Sequence, residues 1–145
     1  MSKSAFVSYS HKDEPYRKRL EVALVQLRRG EQILIWQDRL ILPGQKWGRE
    51  IDKHLETANI ILLLVSPDFL ASEYAYSREM QRALERHKSG SAKVVPIILR
   101  PCDWQASPLY ELQALPNAGR PISTWSNRDQ AWLDIAQGLR RLISN

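Results

Sequence analysis

An α/β fold built on an open parallel sheet with helices on both faces is the class this sequence predicts, and three observations predict it. The hydrophobic period switches repeatedly between strand and helix spacing, with turn residues at most of the switches. The run "NIILLLVS", Asn59 to Ser66, is apolar without alternation, as expected of a strand covered by helices on both faces. Strand-like runs are separated by helix-length segments, and crossovers between parallel strands must be right-handed, so an open, doubly covered sheet is the simplest arrangement.

The elements follow in chain order. "SAFVSY" (Ser4 to Tyr9) is a short β-rich run. "DEPYRKRLEVALVQLRRG" then places Tyr16, Leu20, Ala23, Leu24 and Leu27 on one helical face. Asp13 can cap its start, Pro15 sits in its first turn, Arg28 and Arg29 suit the negative end of its dipole, and Gly30 can terminate it. "ILIW" (Ile33 to Trp36) is the second strand. The Pro43-Gly44 pair marks a loop, which leads into a helix with its apolar face at Trp47, Ile51, His54, Leu55 and Ala58. Asn59 to Ser66 is expected to be the central strand. Ser66-Pro67 reads as an N-cap and first-turn proline, opening a helical region with a buried stripe at Tyr76, Met80, Ala83 and Leu84. "KVVPIIL" (Lys93 to Leu99) is a strand whose Pro96 suggests an edge or bulged position. A weak helix near Trp104 to Leu115, a short last strand "PIST" (Pro121 to Thr124) and a helix from Arg128 to Ile143 complete the chain. Five strands and five helices give a flavodoxin-like open parallel five-stranded sheet.

Bulk composition bounds what such a chain does. Its 145 residues, 43% hydrophobic, suffice for one domain with a two-sided core. A single cysteine, Cys102, excludes an internal disulfide framework and a multi-cysteine zinc site, and fits a reducing, cytoplasmic compartment. No apolar stretch reaches the roughly 18 residues that span a bilayer, so no membrane partner is expected. The net charge of +5 would attract anions. However, the basic residues are scattered and form no stripe with interleaved aromatics, so nucleic acid is not an expected partner.

In an open parallel sheet ligands bind outside the carboxyl ends of the strands. Tyr9, Ser10, His11, Asp38, Arg39 and the Pro43-Gly44 loop belong to that rim, as does the start of the helix carrying Glu79. On helix pattern Glu79 sits on the flank of the buried stripe, in line with Ser72, Ala75 and Arg82. There it serves either as a carboxylate facing a cleft or as the acidic half of a wet ion pair with Arg82, which contributes only a few tenths of a kcal/mol. Other chemistries are excluded by what is missing. The first turn, "SYSHKDE", has no phosphate-cradling glycine, and His11, His54 and His87 lack metal-ligand spacing. No Gly-x-Ser-x-Gly elbow supports a hydrolase triad. Receiver-type phosphotransfer would need acidic residues where Tyr9, Ser10 and Ser66 stand.

"AFVSYSHKDE", "IWQDRLILPGQKWGREI", "NIILLLVSPDFLASEYAYSREM", "PIILRPCDW" and "RPISTW", in this order and spacing, resemble a TIR (Toll/interleukin-1 receptor, resistance protein) domain of the prokaryotic type. The resemblance spans essentially residues 1–145 as one domain, expected to be the N-terminal part of a longer protein. It implies NAD⁺ cleavage in many members, with NAD⁺ as substrate and no cofactor or metal, and in others a purely adaptor role through homotypic TIR contacts. In enzymatic members cleavage depends on a glutamate of the third helix, and here that motif falls on Ser72, Tyr74 and Glu79. Many relatives place Trp-Cys before the turn bearing the glutamate, where this chain has Tyr74-Ala75-Tyr76. The resemblance further implies that Phe6, Ser8, Tyr9 and Ser10 floor the nicotinamide and ribose pocket. Asp38 and Arg39 would serve the ribose hydroxyls and the diphosphate. Trp47 would shape the so-called BB loop, although its place in an apolar stripe suits core packing too. Leu42, Pro43, Gly44, Gln45 and Lys46 form the part of that loop expected to contact other TIR domains in a homo-oligomer.

Overall fold

A computed structural model describes residues 3–47 and 50–144 of the chain. Four parallel strands, β1 (Lys3–Ser10), β2 (Ile33–Ile41), β3 (Ile60–Val65) and β4 (Lys93–Ile98), lie in the order β2-β1-β3-β4. Among the described residues six α-helices connect and cover them: α1 (Glu14–Ala23), α2 (Val25–Arg29), α3 (Lys53–Thr57), α4 (Pro67–Ala71), α5 (Arg78–Ser89) and α6 (Arg128–Ser144). β3 is buried along its whole length, as its unbroken apolar run requires, and shares the centre of the sheet with β1. β4 is an edge strand, where Pro96 has no ladder hydrogen bond to lose.

The pleat sends successive side chains to opposite faces, so the sheet carries two cores. Ala5, Val7, Leu62 and Ile97 pack with Leu20, Leu27, Trp132, Ile135 and Leu139 of α1, α2 and α6, and with Leu24 between α1 and α2. Phe6, Ile61, Leu63 and Ile98 pack with Leu55, Phe69, Met80 and Ala83 of α3, α4 and α5.

Several local expectations are corrected. "PIST" is no strand: Ile122–Thr124 is a 3-10 turn with Ile122 in the first core. Beside β4, where a fifth strand would lie, Leu115 alone forms a bridge with Ile97. The weak helix resolves into the 3-10 turns Trp104–Ala106 and Pro108–Glu111. The first helix breaks at Leu24, and Asp13 at its start makes no capping bond because its buried carboxylate accepts from Ser66 and Arg100 instead. The helix expected from Trp47 onward shrinks to Lys53–Thr57, capped by Asp52, whose carboxylate accepts from the His54 N–H. Gly48 and Arg49 of the preceding loop lie outside the described residues.

The region after β3 departs most from a single helical stripe. Ser66 caps α4, accepting from the Phe69 N–H as its sequence suggests. Extended residues at Ser72 and Ser77 then interrupt the helix, with a 3-10 turn (Glu73–Tyr76) between them. Ser77 caps α5 afresh through the Met80 N–H, and Gly90 ends it in the left-handed conformation at φ 83°. The break resets the helical phase. Tyr76 is therefore 59% exposed, and Glu79, expected on a flank, is fully buried in the first turn of α5.

Candidate functional site

Strands β1 and β2 run side by side with Ser8 opposite Arg39, so both side chains leave the same face of the sheet, toward α5. The guanidinium of Arg39 meets the carboxylate of Glu79 in a fork: Nε donates to Oε1 at 3.1 Å and Nη2 to Oε2 at 2.8 Å. The Tyr74 hydroxyl donates to Oε1 at 2.6 Å and the Asp52 backbone N–H to Oε2 at 3.0 Å. Ser8 Oγ lies 2.9 Å from the Tyr74 hydroxyl, completing a buried relay from the end of β1 to the carboxylate. Tyr74 and Ser8 are both fully buried.

Electrostatics bind these groups into one unit. Burial first, then the charge of Glu79, pushes the Tyr74 phenol well above its ordinary range, so it acts as a donor. Burial works against the charge of Arg39, but bonding to Glu79 outweighs it and raises the guanidinium's pKa. At Asp52 burial is likewise overcome, by hydrogen bonds from His54 and by Arg39, whose Nη1 stands 3.5 Å from Oδ2, and the carboxyl is held below 3.8.

Trp47 closes this unit from the outside. Its ring lies 4.7 Å from the Arg39 guanidinium and meets the Tyr74 ring edge-on, also at 4.7 Å between centroids. The other side of Trp47 lines a cleft of about 370 Å³, at the small end of the range for ligand pockets, at the carboxyl end of the sheet. Ser10, Ser72 and the loop from Leu42 to Lys46 line the same cleft. Glu79 thus lies behind the cleft wall, with no exposed surface of its own.

The pleat divides the residues expected at the site. Ser8, Ser10, Arg39, Trp47, Ser72, Tyr74 and Glu79 gather on the cleft side, and Phe6 lies beneath them in the second core. Tyr9 and Asp38 project from the opposite face. Tyr9 is raised to about 12 by burial and contact with Glu14. Asp38 accepts from the Trp36 indole at 2.8 Å and pairs with Arg17 at 3.4 Å. Tyr76 points to solvent and is not part of the cleft lining. Arg39 is committed to Glu79, and among the described residues Lys12 and Lys46 are the lysines that line the cleft, with His11 beside them. Lys12 in turn leans 3.6 Å from Asp68, which also receives Arg100. Arg82, the partner suggested by helix spacing, bonds Glu56 at 2.7 Å and Glu85 at 3.4 Å instead.

Sequence reasoning missed Asp52, whose N–H and carboxylate both serve the network. Its signal was the helix cap: an acidic residue directly before a short apolar-faced helix. It missed Lys12 and Asp68 too, for which the rim position after β1 and β3 was the available sign.

Among the described residues no helix is long and apolar enough to cross a membrane. The uncharacterized protein y4lF of Sinorhizobium fredii is 52% identical to this chain over 137 residues, which cover 94% of this chain and 42% of that protein. The chain therefore spans less than half the length of this relative. The sequence profile of the TIR domain matches residues 5–141, which include every strand but the first two residues of β1, the Arg39–Glu79 unit and the loop around Gly44. On that match, over nearly its whole length, the chain belongs to the TIR domain family.

Proposed function

We propose that this domain is an NAD⁺ nucleosidase that cleaves the nicotinamide–ribosyl bond through Glu79, and that self-assembly with other TIR domains activates it in a cytoplasmic signalling or defence pathway. The observation that carries this reading is a fully buried carboxylate at the ligand edge of the sheet, oriented by four hydrogen bonds just behind a cleft. A buried ion pair is a poor device for stability alone, because packed apolar residues of similar volume often do as well. Its position beside a cleft suits an electrostatic role.

The chemistry asks little more of the protein. Nicotinamide leaves a positively charged pyridinium as a neutral molecule, so its departure needs no general acid. Positive charge develops instead on the anomeric carbon and ring oxygen of the ribose, as in glycoside cleavage. A carboxylate next to the ribose opposes that charge and accepts from its hydroxyls, an effect typically worth roughly 3–4 kcal/mol. Water or the adenine then captures the cation, giving ADP-ribose or a cyclic isomer. Among the described residues, Lys12 and Lys46 are placed to meet the diphosphate. For substrate to reach Glu79, Trp47 must swing away and Arg39 must share its carboxylate, a change that contacts to the Leu42–Lys46 loop from another protomer would favour.

The seal itself supports a second reading, a TIR adaptor that works by homotypic contact alone, since Glu79 is already saturated. Incubation of the protein with NAD⁺ at high concentration, with nicotinamide release followed by chromatography, separates the two. Release that disappears in Glu79→Gln supports the nucleosidase, and no release from assembled protein supports the adaptor.

A further inference from the structure

The cation paired with Glu79 has surroundings that an ion pair alone does not require. Arg39 offers Nε and Nη2 to the carboxylate, its central guanidinium carbon lies over the Trp47 ring at 4.7 Å, and Nη1 stands 3.5 Å from Asp52 Oδ2. Tyr74 meets Trp47 edge-on and donates to the same carboxylate, which closes one side of this seat. Aromatic faces with carboxylates beside them also hold organic ligand cations. The buried arginine Arg86 is seated differently. It donates to the carbonyls of Leu55, Ala58 and Ser91 and to Ser91 Oγ, with no carboxylate among these bonds.

Exposure orders the charged groups. The side chain of Glu79 has none, that of Asp52 is 18% exposed and that of Arg39 26%. The guanidinium is thus the outermost of the three and covers the carboxylate. The other two donors to Glu79, the Tyr74 hydroxyl and the Asp52 N–H, come from the turn after α4 and from the cap of α3. They stay in place if Arg39 leaves, so the carboxylate remains oriented without it.

We propose that Arg39 is an intramolecular plug: at rest its guanidinium holds the place against Glu79 that the ribosyl pyridinium of NAD⁺ must take, and so keeps the domain inactive. Which ligand is excluded rests on the nucleosidase reading; that a displaceable cation covers the carboxylate does not. The guanidinium and the charge that develops on the ribose call for the same partner, a carboxylate edge. A tethered group competes at an effective concentration of about millimolar or more, whereas enzymes commonly have KM values of about 1 μM to 1 mM, so free substrate displaces it poorly. Displacement gives up two charge-assisted hydrogen bonds and the Trp47 contact, which leaves the open state a minor one, of order 1%. The apparent affinity for any ligand of the open state is reduced by that fraction. Opening is a change of partner only, with no bond made or broken and no proton transferred.

Arg39→Ala vacates the seat, and Arg39→Gln, which keeps an amide N–H for the carboxylate, takes its place if the alanine variant does not fold. Two probes are titrated into the parent and the variant with thermal melting as readout: 1-methylnicotinamide, a pyridinium cation with no ribosyl bond to cleave, and neutral nicotinamide. The variant's Tm should rise saturably with 1-methylnicotinamide, nicotinamide should bind about tenfold or more weakly, and the parent should respond to neither. In dilute protein the KM for NAD⁺ should fall about tenfold or more in the variant, with kcat little changed. A folded variant that responds to 1-methylnicotinamide no more than the parent does, or no more than to nicotinamide, would overturn the plug. So would a KM at or above the parental value. Selective binding of the cation by the variant, with no nicotinamide released by any form, would support the plug and remove the nucleosidase. Release from the parent, with no response of the variant to the cation, would do the reverse.

Discussion

Replacing Glu79 with glutamine keeps the shape of the side chain and removes its charge, and the surroundings of the carboxylate set the consequence. One amide N–H₂ must stand where an acceptor oxygen stood. In place of Oε2 it opposes both Arg39 Nη2 at 2.8 Å and the Asp52 N–H at 3.0 Å, two donors facing a donor. In place of Oε1 it opposes Arg39 Nε at 3.1 Å, while the Tyr74 hydroxyl can rotate to accept. Hydrogen bonds to charged groups contribute about 1.5–3 kcal/mol each. Losing one or two of them, partly offset by water reaching the 26%-exposed Arg39, costs about 3 kcal/mol. In a chain of this size that lowers Tm by about 10 °C. The folded fraction at 25 °C stays high, so nicotinamide release remains a fair assay and should fall by roughly a hundredfold or more. Glu85→Gln is the matched control, because Glu85 is half exposed and its pairs with Arg78 and Arg82 lie on the surface. Thermal melting that leaves Glu79→Gln within a degree or two of the parent would refute the buried network. Parental nicotinamide release from the folded variant would refute the catalytic role and leave the fold standing.

Arg39→Ala strands the buried Glu79 carboxylate and should cost about 3–5 kcal/mol in chemical denaturation, whereas Asp38→Ala, one residue away on the other face, should cost about 1 kcal/mol; equal losses would contradict the division of the strand. Tyr9, raised to about 12 in the folded chain from 10.0, favours the protonated phenol on folding, so its contribution is complete below pH 10 and lost as pH climbs toward 12. Ultraviolet titration should accordingly lose a late phenolate step in Tyr9→Phe, and an unchanged titration would count against the buried position. Gly44 holds φ at 71° with open space around a built Cβ, so Gly44→Val strains only the loop backbone, by about 1–2 kcal/mol. Higher-order assembly should weaken while circular dichroism stays parental; an unchanged size distribution on light scattering would remove the loop from the assembly.

Local pattern was enough for the elements whose causes are local. The unbroken apolar run of β3, the Ser66-Pro67 cap, the edge position implied by Pro96 and the long stripe of α6 were all legible, because period, capping and the missing proline donor act within a few residues. The resemblance pointed to Glu79, but the environment of that carboxylate was not legible. Helix spacing offered Arg82, three residues away, yet a new cap at Ser77 rotates α5 so that Glu79 turns inward and meets Arg39, forty residues distant in sequence, through the β1–β2 register. Alternation along β1 separates Ser8 and Ser10 from Tyr9 in the sequence itself; only the topology decides which of those faces receives α5 and the cleft. The fifth strand failed for a related reason. "PIST" has strand-like residues, but a strand exists only where a neighbour offers free backbone groups, and Leu115 and His87 already occupy the edge of β4. Propensity belongs to the segment, whereas pairing, burial and the partner of a charge belong to whatever the rest of the chain brings beside it.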